Sequence, residues 1–194
     1  MSRDRQAKKA ERSRNKLLEA AARLFSEKTI DEVGVREIAA QAGVTTGTFY
    51  HYFTGKDDIL DKIYLNHDKE FGDILRDFTG QTGPYCEKIL HFFVHVLAET
   101  VAADGAEFTR HRLFQMRKQS TDENLLYVEM KALIEKALAA GELKQEFSVT
   151  EINDYLFLVF RGITYEWCIC PPEERFSLTE RVKNTMRFAL QSFR

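Results

Sequence analysis

The stretch that decides the fold lies at residues 42–60 and reads AGVTTGTFYHYFTGKDDIL. Small and hydroxylated residues (TTGT, 45–48) are followed directly by an aromatic run (FYHYF, 49–53). Gly43 suits the left-handed conformation that ends a helix, and Thr45 or Thr46 can cap the helix that follows. The pattern therefore predicts a tight turn and then a short helix over residues 46–52.

A second short helix is predicted on the other side of this turn, over residues 35–42, with Ile38 and Ala39 facing inward. Two short helices joined by a tight turn form a helix-turn-helix, a motif that places its second helix in the major groove of DNA. Here the second helix would begin with threonine hydroxyls for phosphates or base edges. Gly47 would remove a side chain that holds the backbone away from DNA.

The aromatic run divides by helical periodicity. Phe49 and Phe53 are four residues apart, so they share one face and are expected to anchor the helix. Tyr50 and His51 lie on the other face, where a hydroxyl and an imidazole can reach phosphates. Lys56 is placed at the start of the next helix, where backbone N–H groups and an ammonium together suit a phosphate.

The rest of the chain shows apolar residues at helical spacing and no convincing alternating run, which predicts an all-α fold. We expect about nine helices in two domains, the first helix over about residues 7–27. Residues 1–53 hold a basic arm and the helix-turn-helix, and residues 54–194 hold a larger helical body that starts with a connecting helix at 56–78. Two later helices open on apparent capping boxes, Ser148 with Glu151 and Ser177 with Glu180.

Charge and composition narrow the class of protein. Residues 1–16 carry a net charge of +5 and the remaining residues −7, which favours a local contact with a polyanion over a DNA-coating, architectural protein. No apolar run approaches the ~20 residues of a membrane span, and the basic N-terminus has no signal-peptide core. The odd cysteine count (Cys86, Cys168, Cys170) fits a reducing cytoplasm. We therefore expect a cytoplasmic protein without membrane contact.

The segment LLEAAARLFSEKTIDEVGVREIAAQAGVTTGTFYHYFTGKDDIL (17–60) resembles the DNA-binding domain of TetR-type transcriptional regulators. Thr29 departs from the pattern where the family often has glycine, and Gly34 stands where it usually has a capping Thr or Ser. The resemblance implies binding to double-stranded DNA at a palindromic operator. It places these residues against DNA: Arg36, Thr45, Thr46, Gly47, Thr48, Tyr50, His51 and Lys56.

The resemblance also implies a homodimer formed by the last two long helices, so that two recognition helices read half-sites ~34–36 Å apart. Both helices are too apolar for all of their apolar residues to be buried in the core of one monomer. Gly162 within a helix suggests that another helix approaches closely. The alternative is a buried core helix without a dimer. The expected interface residues are Leu156, Val159, Gly162, Ile163, Leu178, Val182, Met186, Ala189 and Phe193.

In such regulators the helical body encloses a pocket for a small-molecule effector that releases the protein from DNA. Aromatic richness favours an apolar or planar ligand. Arg161 interrupts an apolar run, so its charge requires either an acidic partner or an anionic group on the ligand. The candidate pocket residues are Phe78, Phe92, His95, Phe108, His111, Tyr127, Phe157, Arg161, Tyr165 and Trp167.

Two groups of residues suggest other functions. Glu87, His91, His95 and Glu99 recur every four residues, a spacing that suits a transition metal and equally a polar surface stripe. Cys168 and Cys170 suggest thiol sensing, without the second pair that a zinc site needs. A metal- or thiol-sensing regulator is therefore the alternative, and a helical enzyme a more remote one, because no nucleophile–base pair is visible. We predict a repressor with no catalytic activity, no cofactor and no metal.

Overall fold

The computed structural model describes the backbone of residues 2–115 and 124–194 and the side chains of residues 7–113 and 124–194. Within these ranges every regular element is a helix, which confirms the all-α prediction. The chain divides into two compact units, Met1–Asn66 and His67–Arg194.

The first unit contains three complete helices and the start of a fourth: α1 (Ser2–Glu27), α2 (Val35–Gln41), α3 (Thr46–Tyr52) and α4 (Lys56–Gly80). Helix α1 packs on α2 and α3 through a stripe of buried Leu17, Ala21 and Leu24. It begins earlier than the predicted residue 7, because the basic N-terminal segment holds no glycine or proline and is rich in good helix formers. The predicted basic arm is therefore helical.

The boundary between the two units lies within α4, between Asn66 and His67, and not at 53/54 as expected from the sequence. The first turns of α4 are part of the N-terminal core, since Ile59, Leu60 and Ile63 are all buried. The loop before α4 suggested a domain boundary there. The first unit extends beyond that loop because these apolar side chains of α4 are buried in its core.

The second unit contains the remainder of α4 and five further helices: α5 (Tyr85–Asp104), α6 (Ala106–Gln115), α7 (Leu125–Ala139), α8 (Val149–Ile169) and α9 (Leu178–Gln191). The nine helices of the described residues match the predicted number. Helix α8 packs against α6, α7 and α9, and α9 also covers the middle of α5. A single 3-10 turn, Pro172–Glu174, lies in the loop between α8 and α9.

The middle of α5 is a π-helix over Phe92–Ala98, which the sequence did not indicate. A π-helix has more residues in each turn than an α-helix, so a wider run of side chains can face the core. Five of its seven residues are buried: Phe92, Phe93, Val94, Leu97 and Ala98. The distortion therefore lets α5 place a broad apolar surface against α8 and α9.

Several helix ends are fixed by the side chains that the sequence indicated. Ser148 and Glu151 form the predicted capping box, with both reciprocal bonds present. At α9, the Ser177 hydroxyl accepts the Glu180 N–H at 3.4 Å, which is the first half of such a box. One cap was not foreseen: the Glu142 carboxylate accepts the N–H groups of Tyr85 and Cys86, both at 2.8 Å, and so caps α5 from the loop after α7.

Among the described residues, no single helix has the length and hydropathy to cross a membrane. Helix α5 together with Ala106–Leu113 would meet that test only as a pair, bent by 107°.

Candidate DNA-binding surface and internal cavity

The turn between α2 and α3 is built from backbone hydrogen bonds. Gly43 N–H donates to Ala40 O at 3.0 Å and Val44 N–H to Ala39 O at 2.9 Å, with Gly43 at φ +67°. Only glycine takes that conformation without strain. Thr45 then caps α3: its Oγ1 accepts the Thr48 N–H at 3.1 Å and lies 2.9 Å from the Thr48 hydroxyl.

Helix α3 has one buried residue, Phe49, and Phe53 just after the helix is buried as well. Their ring centroids are 5.6 Å apart, and the Arg14 guanidinium lies 5.9 Å from the Phe53 ring. Tyr50 is 59% exposed and His51 is also exposed. The structure therefore separates the aromatic run into an anchoring pair and an outward pair, as the periodicity predicted.

Gly47 lies at the exposed start of α3, where the fold does not require glycine. A Cβ added there would have Thr45 Oγ1 as its nearest neighbour, at 3.7 Å, which is ordinary van der Waals contact. A glycine near the start of a helix lowers its stability relative to alanine. Contacts within the described part of the first unit therefore give no reason for a glycine at this position.

The two predicted cations outside α3 differ in their surroundings. Arg36 is exposed on α2. Lys56 begins α4 as predicted, but its Nζ donates to the carbonyl oxygen of Ile30 at 2.8 Å and lies 3.5 Å from that of Asp31. Lys56 thus ties the α1–α2 loop to the start of α4, a contact within the fold that the sequence did not reveal.

The two departures from the family pattern also have visible consequences. Thr29 makes its turn without a positive φ, because its N–H and hydroxyl both donate to the Glu32 carboxylate, at 3.1 and 2.8 Å. These bonds lower the pKa of Glu32. Gly34 begins α2 in an extended conformation and supplies no side-chain cap.

In the second unit, α5, α6, α7 and α8 surround a cavity of about 50 Å³. Its walls are mostly apolar, with a few polar groups. The lining residues are Leu97, Val101, Thr109, Arg112, Leu113, Leu126, Tyr127, Phe157, Phe160, Arg161 and Thr164. The Tyr127 and Phe157 rings stack with centroids 4.2 Å apart and planes within 19°.

The charges beside the cavity are unevenly matched. Arg112 pairs with Asp68 at 3.0 Å, and the same carboxylate accepts the Asn124 amide at 3.0 Å. Arg161, which is partly buried, donates to the Tyr127 hydroxyl and makes no ion pair with any carboxylate among the described residues. Thr164 is 2% exposed, and its hydroxyl has no hydrogen-bond partner there.

Arg112 also influences a second buried pair, His67 and Asp104, whose nearest atoms are 3.6 Å apart. Burial, with a smaller contribution from Arg112, lowers the pKa of His67 to about 4. Burial raises the pKa of Asp104 to about 6, and Arg112 opposes that rise. His67 is therefore neutral at pH 7, and the positive charge of Arg112 is committed to Asp68 and Asp104.

Of the predicted pocket residues, Tyr127, Phe157 and Arg161 line this cavity and the others do not. Phe92, Phe108 and Trp167 are core residues, and Tyr165 is 52% exposed on the opposite side of α8. His111 is partly buried outside the lining. Phe78 and His95 line two separate surface clefts. These residues lie outside the cavity lining because aromatic character alone does not tell which side of a helix faces the cavity.

The predicted dimer interface also needs correction. Seven of its nine residues are buried in the chain's own core: Leu156, Ile163, Leu178, Val182, Met186, Ala189 and Phe193. A buried side chain cannot contact a second copy. Val159 is half-buried and Gly162 exposed. They lie among apolar side chains on the outer face of α8 and α9, namely Tyr155, Leu158, Tyr165, Ile169 and Phe188, which are 42–73% exposed.

Known proteins share both the helix-turn-helix segment and the overall fold of this chain. Residues 17–63, which include α2, the turn and α3, match the family model described as "Bacterial regulatory proteins, tetR family". Residues 17–63 therefore form a DNA-binding domain of the tetR type. It is 22% identical to the regulator AcrR of Shigella flexneri over 95% of this chain and 90% of AcrR. It is 38% identical to the repressor KstR2 of Mycobacterium tuberculosis over 60 residues, which cover 31% of this chain and 30% of KstR2.

Solved structures of bacterial regulators share the fold along nearly the whole chain. FadR of Bacillus halodurans superposes with a TM-score of 0.73 at 21% identity, covering 94% of this chain and 96% of FadR. FadR of Bacillus subtilis, solved in complex with stearoyl-CoA, superposes with a TM-score of 0.72 at 18% identity, covering 92% and 98%. These likenesses show the helical fold, and the domain at residues 17–63 is of the kind that DNA-binding transcriptional regulators carry.

The two clusters behind the alternative functions are the His91/His95 stripe on α5 and the cysteines at the end of α8. His95 Nδ1 lies 2.8 Å from Glu99, and the His91 and His95 rings are 4.8 Å apart. In the parts of the chain that the structure describes, no three His, Cys, Asp or Glu side chains are grouped as metal ligands. Burial raises the pKa of the Cys168 thiol to about 11, so it is protonated at neutral pH and unreactive.

The cavity of the second unit is also lined by residues that the sequence analysis did not select. Leu97, Val101 and Leu113 are ordinary core-type residues at helical spacing, so no signal separated them from the rest of the core. Thr109 and Thr164 gave a weak signal: both are polar residues within apolar helices, and both are at most 3% exposed.

Proposed function

We propose that this protein is a homodimeric repressor that binds a palindromic operator and is released when a small effector binds in the second unit. The main support for a DNA-binding surface on α3 is the exposed start of this helix, where Gly47 has no role in packing. Thr46, Tyr50 and His51 surround it on the outward side. A helix with small residues at its N-terminus and polar side chains beyond it is suited to the major groove.

Two other groups of the first unit support this surface. Arg36 on α2 provides an exposed cation for the phosphate backbone, and the basic side chains of α1 add charge that does not depend on DNA sequence. Thr45 and Thr48 contribute by capping, since their hydroxyls are bound to each other. Lys56 contributes by holding the α1–α2 loop.

Dimerisation is proposed through the outer face of α8 and α9. Exposed Leu158, Tyr165, Ile169 and Phe188 form an apolar surface that a second copy would cover. Gly162 lies among them, and a Cβ at this position would have no neighbour within 4 Å in its own chain. Because glycine inside a helix is about 1 kcal/mol less favourable than alanine, close approach of a second helix explains it best.

The effector is proposed to bind in the cavity between α5, α6, α7 and α8, which combines apolar walls with a few polar groups, as ligand sites do. The neighbour from Bacillus subtilis was solved with stearoyl-CoA and one from Thermus thermophilus with lauroyl-CoA. Acyl-CoA thioesters are therefore one class of effector to test on this protein.

The decisive experiment selects operator sequences from random double-stranded DNA and then compares variants on the selected site. Gly47→Ala should raise the thermal stability of the first unit, because alanine is the better helix former by roughly 0.5–1 kcal/mol. It should nevertheless weaken operator binding by about tenfold or more, because the new methyl group faces the DNA. Tyr50→Ala should also weaken binding, with the fold unchanged.

The matched control is Gly80→Ala. Gly80 ends α4 in the second unit and likewise has no neighbour within 4 Å of an added Cβ. This variant should bind the operator as the unmodified protein does. Equal binding by Gly47→Ala and Gly80→Ala would rule out α3 as the DNA-reading element, and selection of sequences without two-fold symmetry would rule out the dimeric operator.

A further inference from the structure

The unmatched charge of Arg161 distinguishes one side of the cavity. Its guanidinium is partly buried and its partner, the Tyr127 hydroxyl, is neutral. The nearby acids do not neutralise it: Asp68 is bound to Arg112 and Asn124, and Asp154 is exposed and makes no ion pair with Arg161 in the described part of the chain. A half-buried cation with a neutral partner favours an anion from outside the chain.

Thr164 adds a second unmatched group on the same wall. It lies three residues after Arg161 on α8, lines the same cavity and has an unpartnered hydroxyl although it is 2% exposed. Buried polar groups are nearly always hydrogen-bonded, and leaving one unpaired is unfavourable. A ligand oxygen beside Arg161 and Thr164 would satisfy both groups.

The remaining walls are apolar and aromatic. Tyr127 stacks on Phe157, Phe157 contacts the Phe93 ring at 5.3 Å, and Phe160 closes the same side. Leu97 and Val101 of α5 add aliphatic side chains to the lining. Such a space favours a flat, apolar group and contains no further unmatched charge, since Arg112 is paired with Asp68.

From these observations we infer that the effector is a small monocarboxylic acid with a flat, apolar body, held by its carboxylate on Arg161, Tyr127 and Thr164. The inference rests on the proposed ligand-responsive function and gives its effector a chemical class. One unpaired guanidinium matches one carboxylate, and the aromatic walls match the ring. A dianion would leave one of its negative charges without a cationic partner in the cavity. A neutral molecule would leave the Arg161 guanidinium without an anionic partner.

The size of the cavity shows how such a ligand could act. A cavity of about 150 Å³ is needed to hold benzene, three times the volume of about 50 Å³ between these walls. An aromatic acid must therefore push a wall outward. The π-helical part of α5 includes Leu97 of the cavity wall, and because π-helical turns are rare and frequently lie at functional sites, we expect this segment to move.

The test uses the full-length protein and isothermal titration with benzoate, 2-naphthoate and their primary amides, which match the acids in shape but carry no charge. The acids should bind at least about tenfold more tightly than the amides, because a charge-assisted hydrogen bond is lost with the amide. Arg161→Gln should remove this preference. Arg187→Gln, an exposed arginine of α9, should keep it.

Thr164→Val provides a separate signature. It removes an unpaired buried hydroxyl without changing the shape, so the free protein should melt at the same or a higher temperature while acid binding weakens. Thr150→Val, at an exposed position of α8, should change neither. A purely structural role for Thr164 predicts no change in acid binding.

Three results would overturn the inference: equal binding of acids and amides, an acid preference that survives Arg161→Gln, or no binding of any acid. Octanoyl-CoA is titrated in parallel, and binding of this thioester that is unaffected by Arg161→Gln would assign the cavity to another class. None of these results depends on DNA. If the selected operator is bound but the acids are not, the DNA-binding proposal stands and only the effector class fails.

Discussion

The cap that Glu142 places on α5 gives the sharpest stability prediction. Its carboxylate accepts the N–H groups of Tyr85 and Cys86 at 2.8 Å, at the positive end of the helix that lines the cavity. Burial on its own would raise the pKa of Glu142, but the bonds from Cys86 and Tyr85 outweigh it and hold that pKa below its ordinary value. We predict that Glu142→Gln destabilises the second unit at neutral pH.

The magnitude follows from the geometry. Glutamine keeps one acceptor oxygen but turns an NH₂ group toward the other N–H, so one charge-assisted bond and the favourable charge at the helix end are lost. A bond of this kind contributes about 1.5–3 kcal/mol, and partial exposure of Glu142 reduces it, which leaves about 2 kcal/mol. The lowered pKa fixes the pH dependence. The contribution is complete above the ordinary glutamate pKa of about 4.3 and is lost as the pH falls through the folded-state pKa.

The assay is urea unfolding followed by the emission of the chain's one tryptophan, at fixed protein concentration. Trp167 is buried in the second unit, to which Glu142 also belongs. Its emission therefore reports the unfolding of that unit. Glu146→Gln, an exposed neighbour, is the control and should stay within about 0.5 kcal/mol of the unmodified protein. The reasoning fails if Glu142→Gln matches this control at pH 7, or if its deficit is undiminished at pH 3.

Three further variants test other parts of the structure. Phe49→Ala should destabilise the first unit by about 3–5 kcal/mol, since Phe49 is fully buried; far-ultraviolet circular dichroism should show an early transition, and unaltered melting would contradict the anchoring role. Lys56→Met should lower stability but leave the salt dependence of operator affinity unchanged, with Lys62→Met as control; a slope reduced by about 0.9 would show a phosphate contact instead. Gly162→Leu should yield monomers in light scattering while Thr150→Leu stays dimeric, and a dimeric Gly162→Leu protein would exclude close helix approach.

The helix-turn-helix was predictable to the residue because its signals are local. Gly43 marks the positive φ, Thr45 the cap, and the predicted bounds of α3 coincide with Thr46–Tyr52. Helix caps such as Ser148 are local in the same sense. The start of α1 was placed too late because the charged segment before residue 7 contains good helix formers and no breaker.

The sites of the second unit were less predictable, because they depend on which face of each helix packs inward. The apolar stripe of α9, with Val182 and Met186, indicated a dimer but is simply the buried face of an amphipathic helix. The surface available to a second copy carries Tyr155, Leu158, Tyr165 and Ile169 at helical spacing, but α8 has apolar residues on several sides, so the sequence did not separate this stripe from the buried one. The π-helix and the cap by Glu142 arise from tertiary packing, so no local sequence pattern predicts them.

The buried surface of α3 has a consequence for engineering. Because Phe49 alone holds the helix in the core and the preceding turn depends on backbone bonds and one glycine, most of α3 is exempt from folding constraints. A combinatorial library at Thr46, Gly47, Tyr50 and His51 should consist largely of folded members. New operator specificities could then be screened without re-stabilising the first unit, so this short helix can be exchanged while the rest of the fold stays the same.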